Sequence, residues 1–418
     1  MQEFETRRKK VFEQMKDNSV ALFFSGVSKI ASEDEYLPFC VNKNFFYLTG
    51  IKQEHSALML IKAIGERRAY LFIDPFSELK EKWTGKRLTP EAASLISGLA
   101  NVYTSDNLET MLSLALSKEK NQYGDIDCIY LDLSSPEQKI KEQMFMNDFS
   151  MKLQLDFGKE IVDSYPILRD LRMVKSSAEI ENIVKAIEKT NNGIAYLINK
   201  LNSGMVEHEL ADYFELYGRL HDRSSLAFST IIASGKNATC LHYPSQNDTV
   251  KEQDLILFDL GYSHEGYSAD ISRTFPVNGR FTGVQAKIYE AVLNCNKAVI
   301  RMVKPGLTLK ELQEFATEFL KNEAIRLGLM KADDDIRNYY YHNVSHHLGL
   351  DTHDIAIRER PLQNGNVITV EPGLYFANYG VGVRIEDDVL VSEDGAIVLS
   401  KNIVKEMNDI ERLMATRG

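Results

Sequence analysis

The run Leu255-Ile256-Leu257-Phe258-Asp259-Leu260-Gly261 decides how this chain is read. Its apolar residues make a strand-length segment closed by glycine. A carboxylate at the end of a buried hydrophobic strand is costly unless a cation or hydrogen bonds compensate it. One reading of Asp259 is a turn cap before Gly261. The other gains weight because the pattern recurs. Asp270 follows in Tyr267-Ser268-Ala269-Asp270-Ile271-Ser272-Arg273-Thr274, as if on the second strand of one hairpin. Glu371 ends Val367-Ile368-Thr369-Val370-Glu371, just before Pro372-Gly373, and Glu386 sits in Val383-Arg384-Ile385-Glu386-Asp387. Four such acids, if gathered, would repel one another without a cation. Left apart, each is an independent surface residue.

A histidine-rich segment supplies the next signal. Tyr341-His342-Asn343-Val344-Ser345-His346-His347-Leu348-Gly349-Leu350-Asp351-Thr352-His353-Asp354 holds four of the nine histidines in the chain. Imidazole suits both metal binding and proton transfer near neutral pH. Four carboxylates and one imidazole form a mostly hard-oxygen donor set. Such a set favours Mn²⁺, with Co²⁺, Fe²⁺ or Zn²⁺ as alternatives. Their charge balances two divalent ions, which at a separation of about 3.5–4 Å can share and deprotonate a water and polarise a carbonyl. The chemistry implied is hydrolysis.

Outward from these segments, the chain is that of an ordinary globular protein. It has 418 residues, 44% hydrophobic and 26% charged, too many for one core, so two domains are expected. The net charge of −11, with no lysine- or arginine-rich block to track phosphates, argues against nucleic acid as the main partner. No apolar stretch follows the basic Arg7-Arg8-Lys9-Lys10, and the longest apolar runs are strand-length. Neither a signal peptide nor a membrane span is expected, and the cytoplasm is the expected location. Cys40, Cys128, Cys240 and Cys295 form no CxxC pair and are expected to be reduced, buried thiols.

The first part of the chain alternates strand candidates (Val20–Phe24, Ala57–Ile61, Ala69–Ile73, Cys128–Leu131) with a helical pattern around Leu108–Leu116, as an α/β domain would. Near residue 170 the texture changes. Ser176 and Glu179 fit a capping box, and Ile180, Ile183, Val184 and Ile187 give the following helix one apolar face. Further helices are expected at Val206–Leu220, Val284–Val303 and Leu309–Leu327, and strands at Leu255–Asp259, Val367–Glu371 and Gly382–Glu386.

These segments resemble the metallopeptidase family that contains aminopeptidase P, prolidase and methionine aminopeptidase. All five metal-ligand positions of that family are present in its order: Asp259, Asp270, His346, Glu371 and Glu386. The resemblance implies an α+β fold. Residues 1–170 would form a creatinase/prolidase-like α/β domain, and residues 171–418 a pita-bread domain with a curved antiparallel sheet and helices on its outer face. It further implies that Asp259 binds one metal, that His346 and Glu371 bind the other, and that Asp270 and Glu386 bridge them. His242 would lie near the scissile nitrogen, and His353 would contact the substrate carbonyl. Glu371 would also carry the proton from a bridging hydroxide's parent water to the leaving amine. His342, Tyr375 and Arg384 resemble substrate-contacting or ligand-orienting residues of the family. For the neighbours His347 and Asp354 the expected role is structural or solvent-facing, and His347 stands where close relatives often carry an apolar aromatic residue.

Within the family, Ser272–Gly279, Asp34-Glu35-Tyr36 and Asn42–Gly50 look more like aminopeptidase P than prolidase. Trp83, the only tryptophan, lies in a segment resembling one that lines the proline subsite from a neighbouring subunit; its alternative is to pack in the first domain. The resemblance thus implies hydrolysis of Xaa-Pro bonds at peptide N-termini, in a homodimer or homotetramer. Proline has no N–H, so peptidases that grip that donor fail on it. A prolidase limited to dipeptides, a creatinase-like amidine hydrolase and an inactive pita-bread module that binds protein segments are the rival readings.

Overall fold

The computed structural model describes residues 2–117, 123–133, 140–221 and 223–417. The chain divides into two compact units, Met1–Leu171 and Arg172–Gly418.

The first unit is built on a six-stranded sheet. Its strands run in the order Val102–Thr104, Glu66–Ile73, Ala57–Ala63, Ser19–Phe24, Cys128–Leu131, Glu160–Asp163. Ala57–Ala63 is antiparallel to both of its neighbours, and the outer pairings are parallel. A two-residue turn, Ile64-Gly65, closes the central hairpin with both residues at positive φ, the backbone that fits the right-handed strand twist. One face is covered by Leu112, Ala115 and Leu116 of the helix Leu108–Leu116, packed against Val20, Met59, Ile61 and Ile129. Every apolar run of this half expected to be a strand is one.

In the second unit Ser176 caps the helix Ser177–Lys200 through a complete capping box with Glu179. The helices Glu207–His221, Gly283–Met302 and Leu309–Arg326 also fall within one or two residues of their expected ends. Leu255–Leu260 lies between Ile231–Ser234 and Ile271–Pro276, antiparallel to both, so all its side chains are buried. Between the two long strands the chain makes a side excursion, Tyr262–Ser268, whose own short strands pair with each other. Gly261 permits it. A Cβ there would stand 1.9 Å from the Ala269 carbonyl oxygen, so only glycine allows the two limbs to approach.

The C-terminal strands switch partners at the acids. Val367–Val370 pairs with Asp387–Ser392, which also pairs with Gly395–Val398, whereas Gly373–Phe376 pairs with Val381–Arg384. Glu371-Pro372 and Ile385-Glu386 are the two crossings, opposite each other. Both glutamates therefore sit one or two residues beyond the strands expected to contain them. Pro372 has no N–H to continue a ladder, and the Glu386 N–H bonds to the Ser272 carbonyl instead.

Candidate metal centre

Each acid reaches the site by a different device. Asp259 sits opposite Ser272 in the antiparallel ladder, and Asp270 immediately precedes that strand. The segment 344–348 runs beside 367–371 like an extra edge strand. Leu348 donates to the Val367 carbonyl, Thr369 to that of His346 and Glu371 to that of Val344. That register places His346 beside Glu371. His346 Nε2 lies 3.3 Å from Asp270 Oδ2 and 3.5 Å from Glu371 Oε1. Its Nδ1 is 3.0 Å from the carbonyl oxygen of His347, which favours the tautomer that leaves Nε2 free to act as a ligand.

Two overlapping groups of potential donor atoms result. Asp259, Asp270 and Glu386 converge in one, and His346, Glu371 and Glu386 in the other, each within 4.8 Å. His353 joins Asp270 and His346 in a third, its ring 4.3 Å from that of His346. Burial, then the charges of Asp259, Asp388 and Glu371, hold the Asp270 carboxyl well above the usual range. Glu386 is raised likewise by burial, then by Asp270, Glu371 and Asp259. Burial also raises Glu371. Glu386 Oε1 is buried and has no hydrogen-bond partner among the described residues. Mutually repelling buried acids with an orphaned oxygen suit divalent cations, and the oxygen-rich donor set fits hard ones.

A polar chain surrounds this cluster. Arg384 donates to Asp259 Oδ2 at 2.6 Å, to Ser272 Oγ at 2.8 Å and to the Tyr375 hydroxyl at 3.1 Å. Ser272 in turn donates to Glu386 Oε2 at 2.7 Å. The Tyr375 hydroxyl meets His342 Nε2 at 2.8 Å, and His342 Nδ1 lies 3.6 Å from Glu371 Oε2. Burial, then Arg384, pushes the His342 pKa down to about 3. Burial, followed by His346 and His242, brings His353 to about 4. His242 is exposed, yet close enough to disfavour protonation of both.

Ser272, Thr369 and Asp388 were not anticipated from sequence. Thr369 Oγ1 accepts from the His346 N–H and reaches Glu371, and Asp388 accepts the Asp270 N–H. Ser272 was detectable, because strand alternation puts it on the same face as Asp270.

Of the two roles expected for His347 and Asp354, structural or solvent-facing, the structural one holds. The His347 ring is buried with neither nitrogen hydrogen-bonded among the described residues, and burial takes its pKa to about 3. Asp354 is buried between Arg172 (2.6 Å) and Lys175 (2.9 Å). Trp83 does not pack in the first unit; it lies on the helix Glu78–Thr84 and is 77% exposed. Of the cysteines only Cys128 and Cys295 are buried, whereas Cys40 and Cys240 are exposed.

Fold and donor set together define a metal-dependent hydrolase, and comparison with known proteins narrows the class. Residues 181–393 match the model of metallopeptidase family M24, and residues 4–123 that of the aminopeptidase P N-terminal domain. The chain is 33% identical to an Xaa-Pro aminopeptidase of Haemophilus influenzae, covering 99% of this chain and 97% of the relative. It is 31% identical to the Xaa-Pro aminopeptidase of Escherichia coli, with the same coverage. Zinc-substituted Escherichia coli aminopeptidase P in complex with product superposes with a TM-score of 0.90 at 30% identity, covering 100% of this chain and 98% of that one. Proline aminopeptidase P II from Yersinia pestis gives 0.88 at 30%, covering 99% of each. The chain belongs to metallopeptidase family M24. It is a metalloexopeptidase with the α+β, pita-bread architecture that the resemblance implied.

Metal removal has a predictable signature. Acids whose folded pKa is raised penalise the metal-free fold as pH climbs through the ordinary carboxylate range, and the penalty is complete above their raised values. A bound divalent metal offsets it, so the stabilisation by metal widens with pH. At a free concentration 100 times the Kd the gain is about 2.7 kcal/mol, or roughly 5–10 °C in melting temperature. Thermal melts of chelated and Mn²⁺-loaded protein at pH 5 and pH 8 check this. A melting temperature indifferent to metal would contradict it.

Proposed function

We propose that this chain removes the N-terminal residue from peptides whose second residue is proline. The observation that carries this reading is end-to-end similarity to Xaa-Pro aminopeptidases, together with the five donor residues converging in one site. The dipeptidase rival is disfavoured because these full-length relatives are named as aminopeptidases.

In this reading Asp259, Asp270, His346, Glu371 and Glu386 hold two divalent ions, with Mn²⁺ the favoured metal. When bound, such ions lower the pKa of a water and draw electron density from the scissile carbonyl. Glu371 would take a proton from the attacking water and deliver it to the leaving nitrogen. Its carboxylate lies between His346 and His342, 3.5 Å and 3.6 Å away, at the edge of the donor cluster. His353, uncharged at neutral pH, donates a hydrogen bond to the developing oxyanion. His242 contacts the nitrogen of the proline ring. Arg384 and Ser272 hold Asp259 and Glu386 in place, and Tyr375 links Arg384 to His342.

A homodimer or homotetramer suits the exposed Phe76, Leu79 and Trp83 of the first unit, where Leu79 and Trp83 lie one helical turn apart. Four unpaired cysteines suit a reducing compartment, the cytoplasm. No helix among the described residues is long and apolar enough to cross a membrane.

A peptide panel tests the proposal. Mn²⁺-loaded protein is expected to release the first residue from an Xaa-Pro-Xaa tripeptide and to leave an Xaa-Ala-Xaa control essentially intact. Cleavage of the Xaa-Pro dipeptide alone would make the chain a dipeptidase. Cleavage of none would favour a binding module.

A further inference from the structure

Glu207 is a carboxylate with no exposed surface, in the first turn of the helix Glu207–His221. Burying it is costly unless its oxygens are fully hydrogen-bonded. They are, by uncharged donors. Oε1 accepts from the Ser234 N–H at 2.7 Å, from Ser234 Oγ at 2.8 Å and from Asn237 Nδ2 at 3.1 Å. Oε2 accepts from the Asp248 N–H at 3.2 Å. The main chain repeats the tie, since Glu207 N–H donates to the Asp248 carbonyl and His208 N–H to that of Gln246.

Ser234, Asn237 and Asp248 are the two ends of one loop, and His242 lies between them. Asn237 Nδ2 is also 3.1 Å from the hydroxyl of Tyr243, the neighbour of His242. The loop's near side is held by the Tyr341 hydroxyl, which donates to the Thr239 carbonyl. Glu207 is thus the point where both ends of the His242 loop are fastened to a rigid helix.

We infer that Glu207 is a positioning residue for peptide cleavage: by closing the Ser234–Asp248 loop it sets His242 against the leaving nitrogen. This rests on the assignment of His242 to that nitrogen. Glutamine at 207 keeps one accepting oxygen but presents an NH₂ to the Asp248 N–H, so the side-chain tie to the far end of the loop is lost and that end loosens, while its main-chain bonds and the helix remain.

A double-mutant cycle tests this in the full-length Mn²⁺-loaded protein, with kcat and KM measured on an Xaa-Pro-Xaa tripeptide alongside bound metal and melting temperature. Glu207→Gln is expected to lower kcat by about 10- to 100-fold, as loss of a supporting partner typically does, with bound metal unchanged. In the His242→Ala background the same substitution should cost less than about threefold, because the two act through one contact. Equal cost in both backgrounds, or no cost in either, would overturn the inference while leaving His242 in its role. If His242→Ala alone leaves kcat and KM intact, the His242 assignment fails and this inference with it. Should Glu207→Gln fail to fold, Asn237→Ala, at a half-buried side chain, carries the same cycle with the same expected outcomes.

Discussion

Glu371→Gln is expected to lower kcat on an Xaa-Pro-Xaa tripeptide by about 10²- to 10⁴-fold, the usual worth of a positioned acid–base group. The substitution keeps the size of the side chain and one carbonyl oxygen, so the donor cluster survives. It removes the ability to take and release a proton. KM should change much less than kcat, because the lost interaction belongs to the transition state. The surroundings support this division. Glu371 Oε1 faces His346 and Thr369, and Oε2 faces His342, so its carboxylate is fixed on both sides. Steady-state kinetics with metal content measured in parallel checks the prediction. Near-normal turnover at full metal loading would remove Glu371 from the proton path.

Asp354→Ala has the largest effect expected on stability. Asp354 is buried between Arg172 and Lys175, themselves buried. Burial alone would raise its pKa, but Lys175 and then Arg172 outweigh that and hold it at about 2. Deleting the acid leaves the buried Lys175 without its ion-pair partner and Arg172 with Asp351 alone, which typically costs about 3–5 kcal/mol. For a unit of this size that lowers the melting temperature by roughly 6–20 °C. By contrast Glu314→Ala, which breaks an exposed pair with Lys310, should change stability by less than about 0.5 kcal/mol. The pH dependence has a defined sign. Because the folded pKa is depressed, the contribution of Asp354 is complete above the ordinary carboxylate value near 4, and is lost as pH falls through about 2. The gap between the native chain and Asp354→Asn should therefore close toward pH 2. A constant gap, or a melting temperature within 2–3 °C of the native chain at pH 7, would contradict this.

What could be read from sequence followed distance along the chain. The Ser176–Glu179 capping box, the helices behind it and the strand containing Asp259 depend on spacings of two to four residues, and they lie where expected. Glu371 and Glu386 were identified, but not their position at strand crossings. That position depends on Pro372 and on a hydrogen bond to Ser272, more than a hundred residues away. Asp354 looked like a mere neighbour of the histidine motif because its partners, Arg172 and Lys175, lie about 180 residues earlier. Glu207 carries no sequence signal beyond that of an acid in the first turn of a helix, where the helix dipole favours it. Its burial against the His242 loop appears only once the chain is folded. The exposure of Trp83, Cys40 and Cys240 likewise has no local signature.

The most direct test of the central claim is a stepwise Mn²⁺ titration of chelator-stripped, full-length protein, following release of the first residue from an Xaa-Pro-Xaa tripeptide and measuring bound metal at each step. No cleavage is expected without metal, and full activity is expected as occupancy approaches two ions per chain. Undiminished cleavage in the presence of chelator, or a chain that binds no metal, would contradict it.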